Sequence, residues 1–383
     1  MSKMKNFNTT RQPINQQEET TSTMKTKTIP NSHTLCSAVL LLAAIAGTSG
    51  AWAQLAQPSG IAEVTIPASR TEVFGMPFAR GVVTSGKITG TSVANNNATF
   101  TVTLNAGEPS IPALNNTSTS ADSDHRYVFE ILDGPAIGFL LACTGNSGNS
   151  SVTVEGSTGS IDVPAGTNFA IRKDNTISSV FGAPSANHPF GSGASAIDAS
   201  VKAWVQVFNV ATGTLTSYYI NTVGTPQWRS TAGPTDRTTV RLPLGRAVII
   251  ANRTTSDITF PVSGQYRIAR SRFSVPAGKL TFLANPSPLA STFSDATIQA
   301  TTPNRNTSSG GVGDVNTSDL WQIWNPATRT FASYFVGTTT NGIPAILRAN
   351  GTEQNPAISA FKGVAVKPLG SGSNVVVTVA PKL

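Results

Sequence analysis

The chain has 383 residues, of which 12% are charged and 39% hydrophobic, with a formal net charge of +8. That length leaves room for two or three domains with sizeable cores. Two cysteines and three histidines exclude a disulfide framework and a clustered zinc site, and so mild a basic excess gives no footing for a nucleic-acid binder.

In chain order the first element is a targeting segment. Met24, Lys25 and Lys27 open a basic stretch, an apolar run follows from Leu35 to Ala46, and Ala51-Trp52-Ala53 precedes Gln54. Basic, apolar and small-residue zones in that order describe a secretory signal peptide over residues 1–53, with a polar extension over 1–23 and Met24 as an alternative start. The run is shorter than the roughly 20 residues a bilayer span needs. A buried helix or an uncleaved anchor is the competing reading. Cys36 stands before the run, where a lipid-anchored cysteine would stand after it, so no lipid anchor is expected. Residues 1–53 carry five Lys or Arg and two Glu, which leaves +5 on the part from Gln54 onward. That part keeps only Cys143, behind the apolar run Gly138–Ala142, and a buried, unreactive thiol is expected. No later stretch reaches membrane length. The expectation is a secreted protein, periplasmic or extracellular and at the cell surface, with no transmembrane segment after cleavage.

The rest reads as all-β. β-branched residues, Gly, Asn and Pro abound, and no stretch keeps apolar residues at helical spacing over three turns. Val205 to Tyr219 matches Trp321 to Phe335 at an offset of 116, with Gln, Asn, Ala, Thr, Ser and Tyr shared. Each copy predicts a β-hairpin around an Asn-x-Ala-Thr turn. Trp228-Arg229 aligns with Leu347-Arg348, and Gly245–Ile250 with Gly363–Val366. Each half then closes on a strand, Ile258 to Val262 and Val375 to Val379. Upstream, Ile66-Pro67-Ala68 and Phe74–Pro77 match Val275-Pro276-Ala277 and Leu283–Pro286 at an offset of 209. The two offsets differ by 93, so the first half carries an insertion of about that length. Six short strands are expected in it: Gly86 to Thr91, Ala98 to Leu104, Tyr127 to Leu132, Phe139 to Cys143, Ser151 to Glu155 and Asn168 to Arg172. Gly182 to Ala199 reads as a return linker and residues 303–318 as an exposed loop. The architecture expected is all-β: two related β-sandwich or barrel modules, the first with a small β-barrel-like insertion. The first module takes 54–265, with the insertion at about 85–182, and the second takes 266–383.

The hairpin pair, the Pro-Ala and Asn-Pro opening, and the segment from Tyr127 through Glu130 and Gly134-Pro135 to Phe139 together resemble an uncharacterised paralogous family of secreted all-β bacterial proteins. No activity is established for that family, so the resemblance implies export and fold and carries no catalytic residue across. Leu347 departs from the family pattern, which favours an aromatic before the Arg.

Chemistry is sparse. After residue 53 the histidines are His125, in a polar loop, and His188, in the linker, and no Gly-x-Ser-x-Gly elbow occurs. Glu130 and Asp133 come nearest to a carboxylate pair, but Asp133 opens an Asp-Gly-Pro turn and Glu130 reads as a solvated strand residue. Asp314, Asn316, Ser318 and Asp319 loosely echo a calcium loop that lacks its Gly and its final acid. The period of 116 is too long for a kelch propeller. The asymmetric feature is arginine: from Arg229 to Arg272 there are eight Arg against Asp236 and Asp257. Arg241, Arg246, Arg253, Arg267, Arg270 and Arg272 are the candidate ligand-binding residues, suited to carboxylate or phosphate groups. A solvated strand face, kept from aggregating by charge, is the bland reading and the one favoured. Val205 with Trp321, and Phe208 with Trp324, read as core anchors rather than sugar platforms.

The functional expectation is an exported, non-catalytic structural or adhesive protein of the cell envelope or extracellular matrix. The alternatives are a carbohydrate-binding protein that recognises acidic glycans and a secreted hydrolase with an unrecognised site. Expected partners are anionic polysaccharide or other envelope components, with self-assembly open. No catalytic residue, metal or cofactor is expected.

Overall fold

A computed structural model describes residues 59–94, 97–114, 127–155, 163–192, 202–210, 212–230, 233, 236–267, 270–285, 287, 289–293, 319–338, 344–348, 352, 354–369 and 375–380. The expected leader, His125 and the loop at 303–318 lie outside the described residues. Strands β1 (Ser59–Ile66), β2 (Thr71–Gly75) and β3 (Phe78–Ala79) begin the first module. Strands β4 (Val82–Ala94), β5 (Asn97–Leu104), β6 (Tyr127–Ile131), β7 (Leu140–Ser147), β8 (Ser151–Glu155) and β9 (Asn168–Lys173) form the insertion. The first module resumes with β10 (Asn175–Thr176), helix α1 (Ile177–Phe181), β11 (Gly191–Ser192), β12 (Ala203–Asn209), β13 (Thr214–Asn221), β14 (Gln227–Ser230), β15 (Arg241–Leu242), β16 (Ala247–Asn252) and β17 (Ile258–Tyr266). The second module has β18 (Ser271–Val275), β19 (Thr281–Ala284), β20 (Ser291–Thr292), β21 (Leu320–Asn325), β22 (Thr330–Thr338), β23 (Pro344–Leu347), β24 (Ala357–Ile358), β25 (Gly363–Lys367) and β26 (Val375–Val379).

The fold is all-β, with two related modules and a closed barrel inserted in the first. The main sheet of the first module runs β2-β16-β12-β13-β14, with the short β11 on β13, and that of the second runs β19-β25-β21-β22-β23. β1 pairs with β17 as β18 pairs with β26, and β10 pairs with β15 as β20 pairs with β24. The register agrees as well: Val205 faces Ile250 as Trp321 faces Val366, and Phe74 faces Val248 as Leu283 faces Val364. Alternation drives this arrangement. Along β17, Ile258, Phe260 and Val262 are buried while Thr259, Pro261 and Ser263 are exposed.

The shared polar residues of the two hairpins do the same work twice. Gln206 donates to Ser217 at 3.0 Å and Gln322 to Ser333 at 3.1 Å. Thr212 pairs with Thr214 at 2.7 Å and Thr328 with Thr330 at 2.8 Å. Arg329, at φ 56°, takes the left-handed turn position that Gly213 holds at φ 71°. The next strand differs from expectation by one residue. Trp228 faces Ile220 and Ile346 faces Val336, so Trp228 answers to Ile346 rather than Leu347. The strand pairing sets that correspondence: Trp228 and Ile346 are both core residues, and Leu347, also buried, answers to Arg229.

The barrel closes in the order β4-β5-β8-β7-β6-β9, with bulges at Ile88/Gly90, Val82/Thr84 and Cys143/Gly145 that let so few strands curl shut. Phe129 stacks between Phe100 (4.9 Å between centroids) and Phe169 (4.7 Å), and Ile88, Val152, Val154 and Ile171 fill the remaining interior. Over its described part, residues 182–192, the expected return linker is fastened to the core. Phe190 is fully buried, packed on Phe181, Trp228 and Phe260. One aromatic anchors this run of small residues to the core. Helix α1 was also not expected. It is a single turn closed by reciprocal Thr176 and Ser179 side-chain caps, too short to leave a periodic pattern.

The two main sheets meet through Val73, Ala247, Phe282 and Ala365, flanked by Phe208, Ile249, Leu280, Trp324 and Phe331. Phe208 lies 5.4 Å from Phe282, and the Trp324 indole N–H donates to Thr71 O. Arg70 donates to Pro326 O at 2.8 Å and Arg329 to Ser69 O at 3.0 Å, which seats the second hairpin tip on the first module. A Cβ on Gly363 would lie 2.3 Å from the Ala247 Cβ and 2.9 Å from Val73 Cγ1. Gly363→Val is therefore expected to cost about 1–3 kcal/mol through overpacking. Denaturant unfolding checks this; an unchanged midpoint would mean that the sheets do not approach here.

Candidate functional site

The structure separates the six candidate arginines. Arg267 is buried, with its Nε and Nη2 on Glu130 Oε1 at 3.0 and 2.8 Å and its Nη1 on the Ser271 hydroxyl. Arg241 pairs through Nε with Asp174, which also accepts from the backbone N–H of Leu244 at 2.9 Å and of Asn175 at 3.0 Å. Arg246 donates through Nη2 to Ser274 O at 3.2 Å. Arg253 lies 5.0 Å from the Trp204 ring centroid. Arg272 lies 5.6 Å from the Phe139 ring and donates to Pro135 O, binding β18 to the barrel, while Arg270 is exposed beside it. They do not converge on one ligand face. Arg267 and Arg241 spend their charges on the buried acids Glu130 and Asp174.

Glu130 is the centre of the most elaborate constellation. On β6, Phe129 and Ile131 point into the barrel, so Glu130 must point out of it. That outer face is covered by the first module, and Glu130 is 1% exposed. The expectation of a solvated carboxylate is therefore overturned. Arg172 on β9 donates through Nε to Glu130 Oε2 at 2.6 Å, and through Nη1 to Gln265 Oε1 at 2.8 Å and Arg80 O at 3.0 Å. Arg267, just past β17, takes the other carboxylate oxygen. Burial, the largest single influence, pushes the Glu130 pKa up. The Arg267 and Arg172 charges and their hydrogen bonds together outweigh it, and the carboxyl titrates below its ordinary value. Sequence reasoning missed this pairing across 137 residues. The signal was Glu130, the lone charge in the otherwise apolar Tyr127–Ile131, and Arg172 directly behind the apolar run Phe169, Ala170 and Ile171.

The remaining candidates are structural. Asp133 accepts from the Asn168 N–H at 2.8 Å and from its side-chain amide, tying the β6–β7 turn to β9. His188 Nε2 contacts Phe181 O at 2.8 Å and Nδ1 accepts from Phe190 N–H at 3.1 Å, while burial lowers its pKa. Cys143 packs at the edge of the barrel core, and burial pushes its thiol far above the ordinary range. Asp319 accepts from Leu369 N–H at 2.6 Å. Among the described residues, no group of three or more His, Cys, Asp or Glu could hold a metal, and no helix is long and apolar enough to cross a membrane.

A groove of about 170 Å³ opens between the modules, lined by Glu63, Val64, Glu72, Phe74, Phe361 and Lys362 among others. Glu72 is buried, and Lys362 Nζ donates to its Oε2 at 2.6 Å. The groove escaped the sequence reading because Glu72 and Lys362 are 290 residues apart. Searches against family models, curated proteins and solved structures find no match to this chain.

Proposed function

We propose that the protein is an exported, non-catalytic structural or adhesive component of the cell envelope or extracellular matrix. One observation carries the reading: among the described residues, the buried acids Glu72, Glu130 and Asp174 are each paired with a Lys or Arg from elsewhere in the fold. A general acid must keep a proton near working pH, whereas Glu130 is sealed between two guanidinium groups and held ionised. The leader over residues 1–53, the resemblance to a secreted all-β group and the extracytoplasmic address belong to the same proposal. Fractionation of producing cells tests it. The protein is expected in a periplasmic, surface or medium fraction, with an N-terminus at Gln54 by mass spectrometry. A full-length chain confined to the cytosol would sink it.

A second reading, recognition of acidic glycans, draws on one feature. The exposed Arg253 guanidinium covers the half-buried Trp204 ring at 5.0 Å, pairing a cation with an aromatic face. A glycan array separates the two readings: selective binding of uronate-bearing glycans, lost in Arg253→Ala, would favour the second.

A further inference from the structure

The groove over Glu72 has a counterpart across a pseudo-two-fold relation between the modules. Backbone contacts fix the correspondence. Gly75 N–H donates to Phe361 O at 2.9 Å, and Ala284 N–H donates to Gly245 O at 2.9 Å. Phe74 bridges Lys362, and Leu283 bridges Arg246. Phe361 and Gly245 share a left-handed backbone, at φ 58° and 83°. Lys362 therefore answers to Arg246. Glu72 answers to Thr281, each standing two residues before the bridged Phe74 or Leu283.

The two sides differ in charge. On the first, Lys362 finds the Glu72 carboxylate. On the second the cation is kept and the acid is replaced by a hydroxyl. Arg246 Nη2 reaches Ser274 O, but its Nη1 is shut off from solvent with no acceptor, and Thr281 Oγ1 is likewise buried without a partner. Burial, with the like charge of Arg241, pushes the Arg246 pKa down to about 10, and the attraction of Glu155 offsets this only in part. A guanidinium nitrogen shut off from solvent without an acceptor, with the attraction of Glu155 offsetting the burial only in part, is disfavoured unless something supplies that acceptor.

We infer that this counterpart site takes a small acceptor-only monoanion, of the chloride or formate class, which serves Arg246 Nη1 and the Thr281 hydroxyl as the Glu72 carboxylate serves Lys362. The anion is a counter-ion that the sequence encodes on one side of the pseudo-dyad and borrows from solution on the other. This stands apart from the proposed function.

The test is thermal unfolding of the purified protein at constant ionic strength, with chloride or formate exchanged for the bulky anion gluconate. The Tm is expected to rise with the logarithm of chloride or formate concentration, by roughly 2–4 °C for each tenfold increase beyond saturation, and to stay flat in gluconate. Thr281→Glu supplies an internal carboxylate, so its Tm in gluconate should exceed that of the parent and its chloride dependence should vanish. Glu72→Thr, the mirror change, should add a second chloride-dependent increment. Should Thr281→Glu fail to fold, Arg246→Gln must lose the chloride dependence. Equal Tm values in chloride and gluconate for the parent, or an undiminished chloride dependence in Arg246→Gln, overturns the inference.

Discussion

Glu130→Gln is expected to lower the unfolding free energy by about 3–5 kcal/mol, the range found when one member of a buried ion pair is removed. The loss comes less from the missing attraction than from what stays behind. Arg172 and Arg267 would keep full charges in a site that admits almost no water, and both side chains are only 2% exposed. Denaturant unfolding measures the cost, and a change under about 1 kcal/mol would refute the assignment. Replacing all three residues with Met or Leu should recover much of the loss, because apolar packing substitutes well for a desolvated triad. The same carboxylate shapes the acid limb of stability. Its folded-state pKa lies below the ordinary value, while the unfolded chain titrates at about 4.3. The stabilisation is therefore complete above the unfolded pKa and drains away as pH falls through the folded one. Melting curves recorded from neutral to acidic pH should show that limb in the parent and a shallower one in Glu130→Gln.

Phe129→Ala is expected to cost about 3–5 kcal/mol as well, by opening a cavity at the centre of the barrel. Phe129 is fully buried, and its ring stacks almost parallel to Phe100 and Phe169, at interplanar angles of 14° and 12°. Six strands leave a narrow interior, so no neighbour can swing in to refill the space. Phe129→Leu should cost markedly less, because it keeps most of the volume. If Phe129→Ala unfolds at the parent midpoint, the rings do not form the barrel's centre.

Barrel strands such as Asn97–Leu104 and Ser151–Glu155 were legible because their residues alternate, whereas Tyr127–Ile131 and Asn168–Lys173, buried along most of their length, were legible as short apolar runs. The repeated hairpins were legible because identical side chains recur at a constant offset. The candidate site was not. Arg267 and Glu130 carry no mutual signal in the chain, since their meeting depends on how the barrel docks on the first module. Phe190 misled in the opposite sense: a run of Gly, Ala and Ser reads as open chain, and one aromatic ring reverses that.

The sequence by itself determined that this protein is built of strands, that two hairpins are versions of each other, and that a third β body interrupts the first module. Those properties are local: period-two alternation, turn residues and repetition act over a few residues and need no partner. Only the tertiary structure decided which charges are spent. Whether an arginine faces water, as Arg270 does, or a buried carboxylate, as Arg267 does, depends on which surface covers it. That covering is set by packing between residues far apart in the chain, 137 positions in the case of Glu130 and Arg267.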